Sequence, residues 1–111
     1  MKEGDVVLTP IVQADGNVKN RPAIVLKEMP YYRDLLVCGV STQIHQHVKD
    51  FDEIISVQDD DFTSSGLIAQ SIIRLGFLAV LPRKNIIGSI GRISKERHKR
   101  LLKSLSVYLV K

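Results

Sequence analysis

Apolar and β-branched residues come in short runs along this chain, separated by Gly, Pro, Asn and Asp. The runs at Asp5 to Val12, Pro22 to Lys27, Asp34 to Ser41, Glu53 to Val57, Ala69 to Arg74, Phe77 to Leu81 and Ile86 to Ile93 have the length and make-up of strands. The first two are separated by a polar stretch, Gln13 to Asn20, read as a mobile loop with a turn signal at Asp15-Gly16-Asn17. Leu35 to Val40 is apolar at every position rather than alternating, which predicts a central strand buried on both faces. After Ile93 the period changes. Ser94 is a candidate N-cap, and Leu101, Leu102, Leu105, Tyr108 and Leu109 follow at helical spacing. That stripe predicts one amphipathic helix lying across the sheet, with Lys95, Arg97, Lys99, Arg100 and Lys103 turned to solvent. The expected fold is mainly β (α+β): a small barrel or sandwich of about seven short strands with a C-terminal helix.

With 111 residues, one domain spanning 1–111 is expected. Hydrophobic residues make up 44% and charged ones 25%, the mix of an ordinary globular protein. There is no Trp, so the core rests on Ile, Leu and Val. Base-packing aromatics are limited to Tyr31, Tyr32, Tyr108, Phe51, Phe62 and Phe77. No apolar run approaches the ~20 residues that span a bilayer, and the start lacks a secretory h-region. A cytoplasmic protein without a membrane partner is expected. The lone Cys38 sits inside the apolar run and reads as a small buried hydrophobe.

Charge is unevenly spread. Six of the twelve acids fall between Asp50 and Asp61, where there is no Lys or Arg, leaving sixteen basic residues against six acids elsewhere. That surplus favours a polyanionic partner. The acidic stretch itself reads as a solvated loop.

The chain has no Gly-rich phosphate loop, HExxH, CxxC or Gly-x-Ser-x-Gly elbow, so the usual signatures of nucleotide hydrolysis, zinc proteolysis and esterase chemistry are missing. His45 and His47 lack a third ligand at suitable spacing, and no metal or other cofactor is expected. What remains is arginine and hydroxyl. Arg21 precedes Pro22, which biases it toward extended backbone and suits the guanidinium to holding a phosphate. Arg21, Ser41-Thr42-Gln43 at the end of the central strand and Ser71 to Arg74 in a later one are expected to converge at one edge of the fold. Two guanidinium groups with hydroxyl donors stabilise a pentavalent phosphorane. RNA supplies its own nucleophile in the 2′-hydroxyl. The plainer role for Ser41, Thr42 and Ser71 is to satisfy backbone groups at strand ends. His45 and His47, on the segment after the central strand, are candidate proton carriers.

The chain resembles the MazF/PemK family of toxin endoribonucleases from type II toxin–antitoxin systems. The likeness runs over nearly the whole length: Gly4-Asp5-Val6-Val7, Arg21-Pro22-Ala23, Val37 to Thr42, Gly66-Leu67 leading to Ser71-Ile72-Ile73-Arg74, then Ile87 to Ser94 and the last helix. It implies an SH3-like barrel, a homodimer and metal-independent, sequence-specific cleavage of single-stranded RNA that leaves a cyclic phosphate and a 5′-hydroxyl. It also implies a cognate antitoxin that covers the RNA groove and binds DNA together with the toxin. By the same resemblance, Arg21 contacts the scissile phosphate and Arg74 matches an arginine proposed as general acid. Ser41-Thr42 fall on a Thr-Ser pair with the order reversed. Gln43, His45, His47 and Ser71 are then candidate RNA contacts. Two residues past Arg74, where PemK-like members carry an aspartate proposed as general base, this chain has Gly76. The alternative that this substitution raises is a catalytically degenerate RNA-binding or regulatory protein on the same fold. A gyrase poison of related fold is a third reading, and the missing Trp, its usual hallmark, counts against it.

Overall fold

The computed structural model describes residues 1–12 and 14–111; Gln13, the first residue of the polar stretch, lies outside them. Among the described residues β1 (Asp5–Val12), β2 (Val18–Glu28), β3 (Leu35–Ser41), β4 (Glu53–Ile55), β5 (Ser71–Leu81) and β6 (Gly88–Arg92) form one sheet. It is antiparallel throughout, in the order β4-β5-β3-β2-β1-β6. The short α1 (Phe62–Ser65) and the long α2 (Lys95–Leu109) complete the fold, with single 3-10 turns at Ile44–Gln46 and Arg83–Asn85.

The apolar run of β3 lies inside the sheet, where it is buried on both faces. Along β2 and β3 successive residues alternate between two cores, as the two-residue period of a strand requires. Ile24, Leu26, Cys38 and Val40 pack with Val6, Ile73 and Leu75 beneath Leu101 and Leu105 of α2. Ala23, Val25, Leu35 and Val37 pack with Val7 and Ile86 on the other side. Burial pushes the Cys38 thiol up to about 12, the state of an inert core residue. Bulges in the β1–β6, β2–β3 and β3–β5 ladders curl the sheet.

Three expectations are corrected. Among the described residues there are six strands where about seven were expected, because the runs at Ala69 to Arg74 and Phe77 to Leu81 belong to one strand. In its ladder Gly39 pairs with Arg74 while the preceding Cys38 pairs with Leu78, so Leu75, Gly76 and Phe77 are looped out. Gly76 marks a bulge, not a turn. Next, β1 and β2 remain paired out to Val12 and Val18, which leaves a tight turn around Gly16 (φ +86°) in place of a long loop. There the Asp15 carboxylate accepts the Asn17 amide at 2.9 Å. Arg21 therefore lies within the ladder opposite Thr9, not at a loop mouth.

The third correction concerns charge. Ser94 caps α2, accepting the Arg97 amide at 3.1 Å. Arg97 itself is only 6% exposed, although its place on the helix suggested solvent. It donates from Nε and Nη2 to both oxygens of Asp61 (2.8 and 3.1 Å), and further to Asp59 and Glu53 at 3.0 Å each. Asp61 also accepts the Ser94 amide at 3.0 Å. The acidic stretch is thus a receptor for the start of α2 rather than a solvated loop. The other end of the helical stripe is only partly covered: the Tyr108 ring packs on Phe51, with centroids 4.9 Å apart, while Tyr108 and Leu109 stay 55% and 67% exposed.

Burial on its own would raise the Asp61 pKa, but the Arg97 hydrogen bonds, the Ser94 amide and the Arg97 charge outweigh it and hold the carboxyl below its usual range. Burial likewise opposes the Arg97 cation, which Asp61 keeps above its ordinary value. Because the folded-state pKa of Asp61 is depressed, its contribution to stability is complete above the unfolded value of about 3.9 and is lost as pH falls below it. Asp61→Asn leaves a buried guanidinium under-compensated, with an expected loss of about 3–5 kcal/mol at neutral pH. Urea titrations at pH 7 and pH 3 check this, with the wild-type and variant curves converging at the lower pH.

Candidate active site

Three strand segments converge at one end of the sheet. The first half of β2 brings Arg21 and Pro22, the end of β3 with the residues after it brings Gly39 to Gln43 and Gln46, and β5 brings Ser71, Arg74 and Phe77. They line an open groove of about 410 Å³. Its described lining contains two arginines and no carboxylate, so a bound anion meets positive charge without a competing acid.

The bulge in β5 makes this arrangement possible. In a regular strand, residues three apart point to opposite faces. Looping out Leu75, Gly76 and Phe77 lets Arg74 and Phe77 line the same groove. The Arg74 guanidinium carbon lies 5.9 Å from the Phe77 ring centroid, a cation–π contact. Leu75 is fully buried. Its amide donates to Asp52 Oδ1 at 3.0 Å, and the other oxygen of Asp52 accepts the Val48 amide at 3.0 Å. A fourth acid of the Asp50 to Asp61 stretch thereby holds the bulge in place.

Of the residues expected here from sequence, Arg21, Ser41, Thr42, Gln43, Ser71 and Arg74 all line the groove. Their local bonding differs. The Ser41 hydroxyl accepts the Gln43 amide at 3.0 Å, and the almost fully buried Ser71 hydroxyl donates to the Ala69 carbonyl at 2.8 Å. Both support backbone, as serines at strand ends do. Thr42 and Gln43 are exposed. His45 and His47 are not among the described lining residues. The 3-10 turn at Ile44–Gln46 directs Gln46 to the groove instead, and His47 Nε2 lies 3.1 Å from the Asp52 carbonyl oxygen. Gly76 lines a second groove beside α2, and a Cβ there would meet the Phe51 ring at 3.8 Å. An acidic side chain at position 76 would therefore start out toward α2, away from the two arginines. Gln46 carried no signal in the sequence, since a 3-10 turn places it, and Phe77, one of six candidate base-packing aromatics, is singled out only by the bulge. Among the described residues no three His, Cys, Asp or Glu side chains cluster as a metal site would require.

The model of PemK-like, MazF-like toxins of type II toxin–antitoxin systems matches residues 2–109 of this chain. The chain belongs to this family. Among solved structures, the Mycobacterium tuberculosis toxin MazF-mt6 shares the fold, with a TM-score of 0.68 over 96% of both chains at 15% identity. No curated protein sequence matches. Among the described residues of this PemK/MazF-like toxin, no helix is long and apolar enough to cross a membrane.

In this toxin the Asp52 carboxylate is the support of the bulge that carries Arg74. Asp52→Ala leaves two amides without their acceptor, at an expected cost of about 1–3 kcal/mol for each that stays buried. Asp52→Asn retains one acceptor and loses about half as much. Amide hydrogen exchange followed by NMR should show the Leu75 amide strongly protected in the wild type, partly in Asp52→Asn and little in Asp52→Ala.

Proposed function

We propose that this PemK/MazF-like toxin is a metal-independent, sequence-specific endoribonuclease, an mRNA interferase that cuts single-stranded RNA through attack of the 2′-hydroxyl. The observation that carries the proposal is a groove lined by Arg21, Arg74 and exposed hydroxyl and amide donors, with no carboxylate among its described lining residues. A phosphodiester seated between the two guanidinium groups gives them its non-bridging oxygens. As the 2′-oxygen attacks phosphorus, negative charge grows on those oxygens and the charge-assisted hydrogen bonds strengthen. The P–O5′ bond then breaks, leaving a 2′,3′-cyclic phosphate and a 5′-hydroxyl. Thr42, Gln43 and Gln46 orient the flanking sugar and phosphate.

Arg74 acts by stabilising charge on the phosphorane and on the leaving oxygen. No imidazole or carboxylate is among the described lining residues, so the 2′-hydroxyl proton passes to water and the leaving 5′-oxygen takes its proton from water. The degenerate-binder alternative rested on Gly76, which lines the other groove. Loss of an acid at that position therefore does not weaken this reading. Arg21→Ala and Arg74→Ala should each lower cleavage of a long single-stranded RNA by about 10²–10³-fold in the presence of EDTA. Circular dichroism should be unchanged. Primer extension reads the cuts, and wild-type rates retained by both variants would overturn the assignment.

The family membership supports an antitoxin partner that covers the groove, and action in the cytoplasm where the RNA is. It also supports a homodimer. At the end of α2, Val107, Tyr108 and Leu109 remain exposed beside Leu78 of β5 around the second groove, an apolar surface suited to a second copy. Light scattering coupled to size exclusion should find a dimer for the wild type and a monomer for Leu78→Lys. A wild-type monomer at micromolar concentration would contradict the dimer.

A further inference from the structure

Phe77 is a large aromatic residue left 48% exposed in a chain short of aromatics. Its seat is shaped for it. An added Cβ on Gly39 would come within 2.9 Å of the Phe77 ring, so the ring lies directly on the β3 backbone where other residues would put a side chain. Arg74 flanks the ring. The rest of its surface faces two spaces at once: the two-arginine groove, and an adjoining small pocket of about 70 Å³ lined by Pro10, Ile11, Ala79 and Leu81. An apolar pocket joined through one aromatic ring to a phosphate-binding groove matches the layout of a nucleotide, whose flat base lies a few bonds from its phosphate.

We infer that Phe77 is the base-packing platform of the groove: a nucleobase next to the phosphate held by Arg21 and Arg74 lies against the Phe77 ring, with one apolar edge over the mouth of the small pocket. The inference rests on the endoribonuclease reading for the identity of the ligand. Phe77 acts here as a binding and specificity residue, with no part in the proton or phosphoryl chemistry. Base–aromatic packing is sequence-tolerant in itself. The finite size of the pocket and the Gly39 floor would make it selective for base shape.

The test uses fluorescence anisotropy with the intact protein and two 12-nucleotide probes at one fixed low salt concentration. One is a random-sequence 2′-O-methyl RNA, which cannot be cut through its 2′ position; the other is the corresponding abasic sugar–phosphate oligomer. Phe77→Leu should weaken binding of the base-bearing probe by about fivefold or more and change binding of the abasic probe by less than about twofold. Phe77→Tyr should restore wild-type binding of both. Equal weakening of both probes would mean that Phe77 only positions Arg74, and no weakening of either would mean that bases lie elsewhere; each outcome overturns the inference. Cleavage assays on the same proteins separate this failure from that of the parent reading. Arginine-dependent cutting without the Phe77 effect removes the inference alone. The Phe77 effect without cutting removes the nuclease alone, and a wild type that binds neither probe removes both.

Discussion

The fold depends on the burial of Arg97 among the carboxylates of Asp61, Asp59 and Glu53. A guanidinium taken out of water is tolerated only when its donors are met with good geometry, and here it makes two bonds to Asp61 and one each to Asp59 and Glu53. The consequences spread outward from that point. Asp61 also takes the Ser94 amide at the start of α2, so the helix begins at a fixed place and Leu101 and Leu105 reach the core. Glu53 is the first residue of β4, the strand that pairs with β5, and it bonds to Arg100 as well. Asp52, one residue earlier, holds the β5 bulge through the Leu75 amide. A single polar segment therefore ties the helix, the sheet edge and the strand that carries Arg74.

This arrangement also explains how a chain with many acids has a groove with no carboxylate among its described lining residues. Asp52, Glu53, Asp59 and Asp61 are drawn to α2 and to backbone amides. The described lining at the Arg21 end of β2 and β3 is left with two cations, neutral polar groups and apolar side chains. Anion affinity in the groove thus follows from where the carboxylates are held as much as from the two arginines. The bulge adds the other requirement, because without it Arg74 and Phe77 would face opposite sides of the sheet.

Much of this was legible in the sequence, and the limits have physical causes. Period-two and fully apolar runs located the strands and the doubly buried β3, and Ser94 marked the start of α2. Arg21, Ser41 and Arg74 were recognisable as groove residues because each is a polar side chain bordering an apolar run, although Arg21 and Arg74 prove to lie within their ladders. Helical periodicity placed Arg97 with the solvated cations, since its burial depends on carboxylates some forty residues away that no local pattern reveals. Tyr108 and Leu109 continue the apolar stripe past the point where sheet remains beneath it. Gly76 read as punctuation between two strands because a bulge and a turn use the same residue. His45 and His47 are expected near the groove because they follow the central strand, and the 3-10 turn presents Gln46 instead.

Two guanidinium groups, in a groove with no carboxylate among its described lining residues, are proposed to suffice for RNA to attack itself. Mass spectrometry of the fragments from a defined single-stranded RNA, cut by the wild-type protein in EDTA, reads this out. The expected ends are 2′,3′-cyclic phosphate and 5′-hydroxyl, with no cut where the nucleotide on the 5′ side of the scissile bond carries 2′-deoxyribose. Products with 3′-hydroxyl and 5′-phosphate ends, or equal cleavage at the 2′-deoxy position, would show that water or another nucleophile attacks the phosphate and would contradict it.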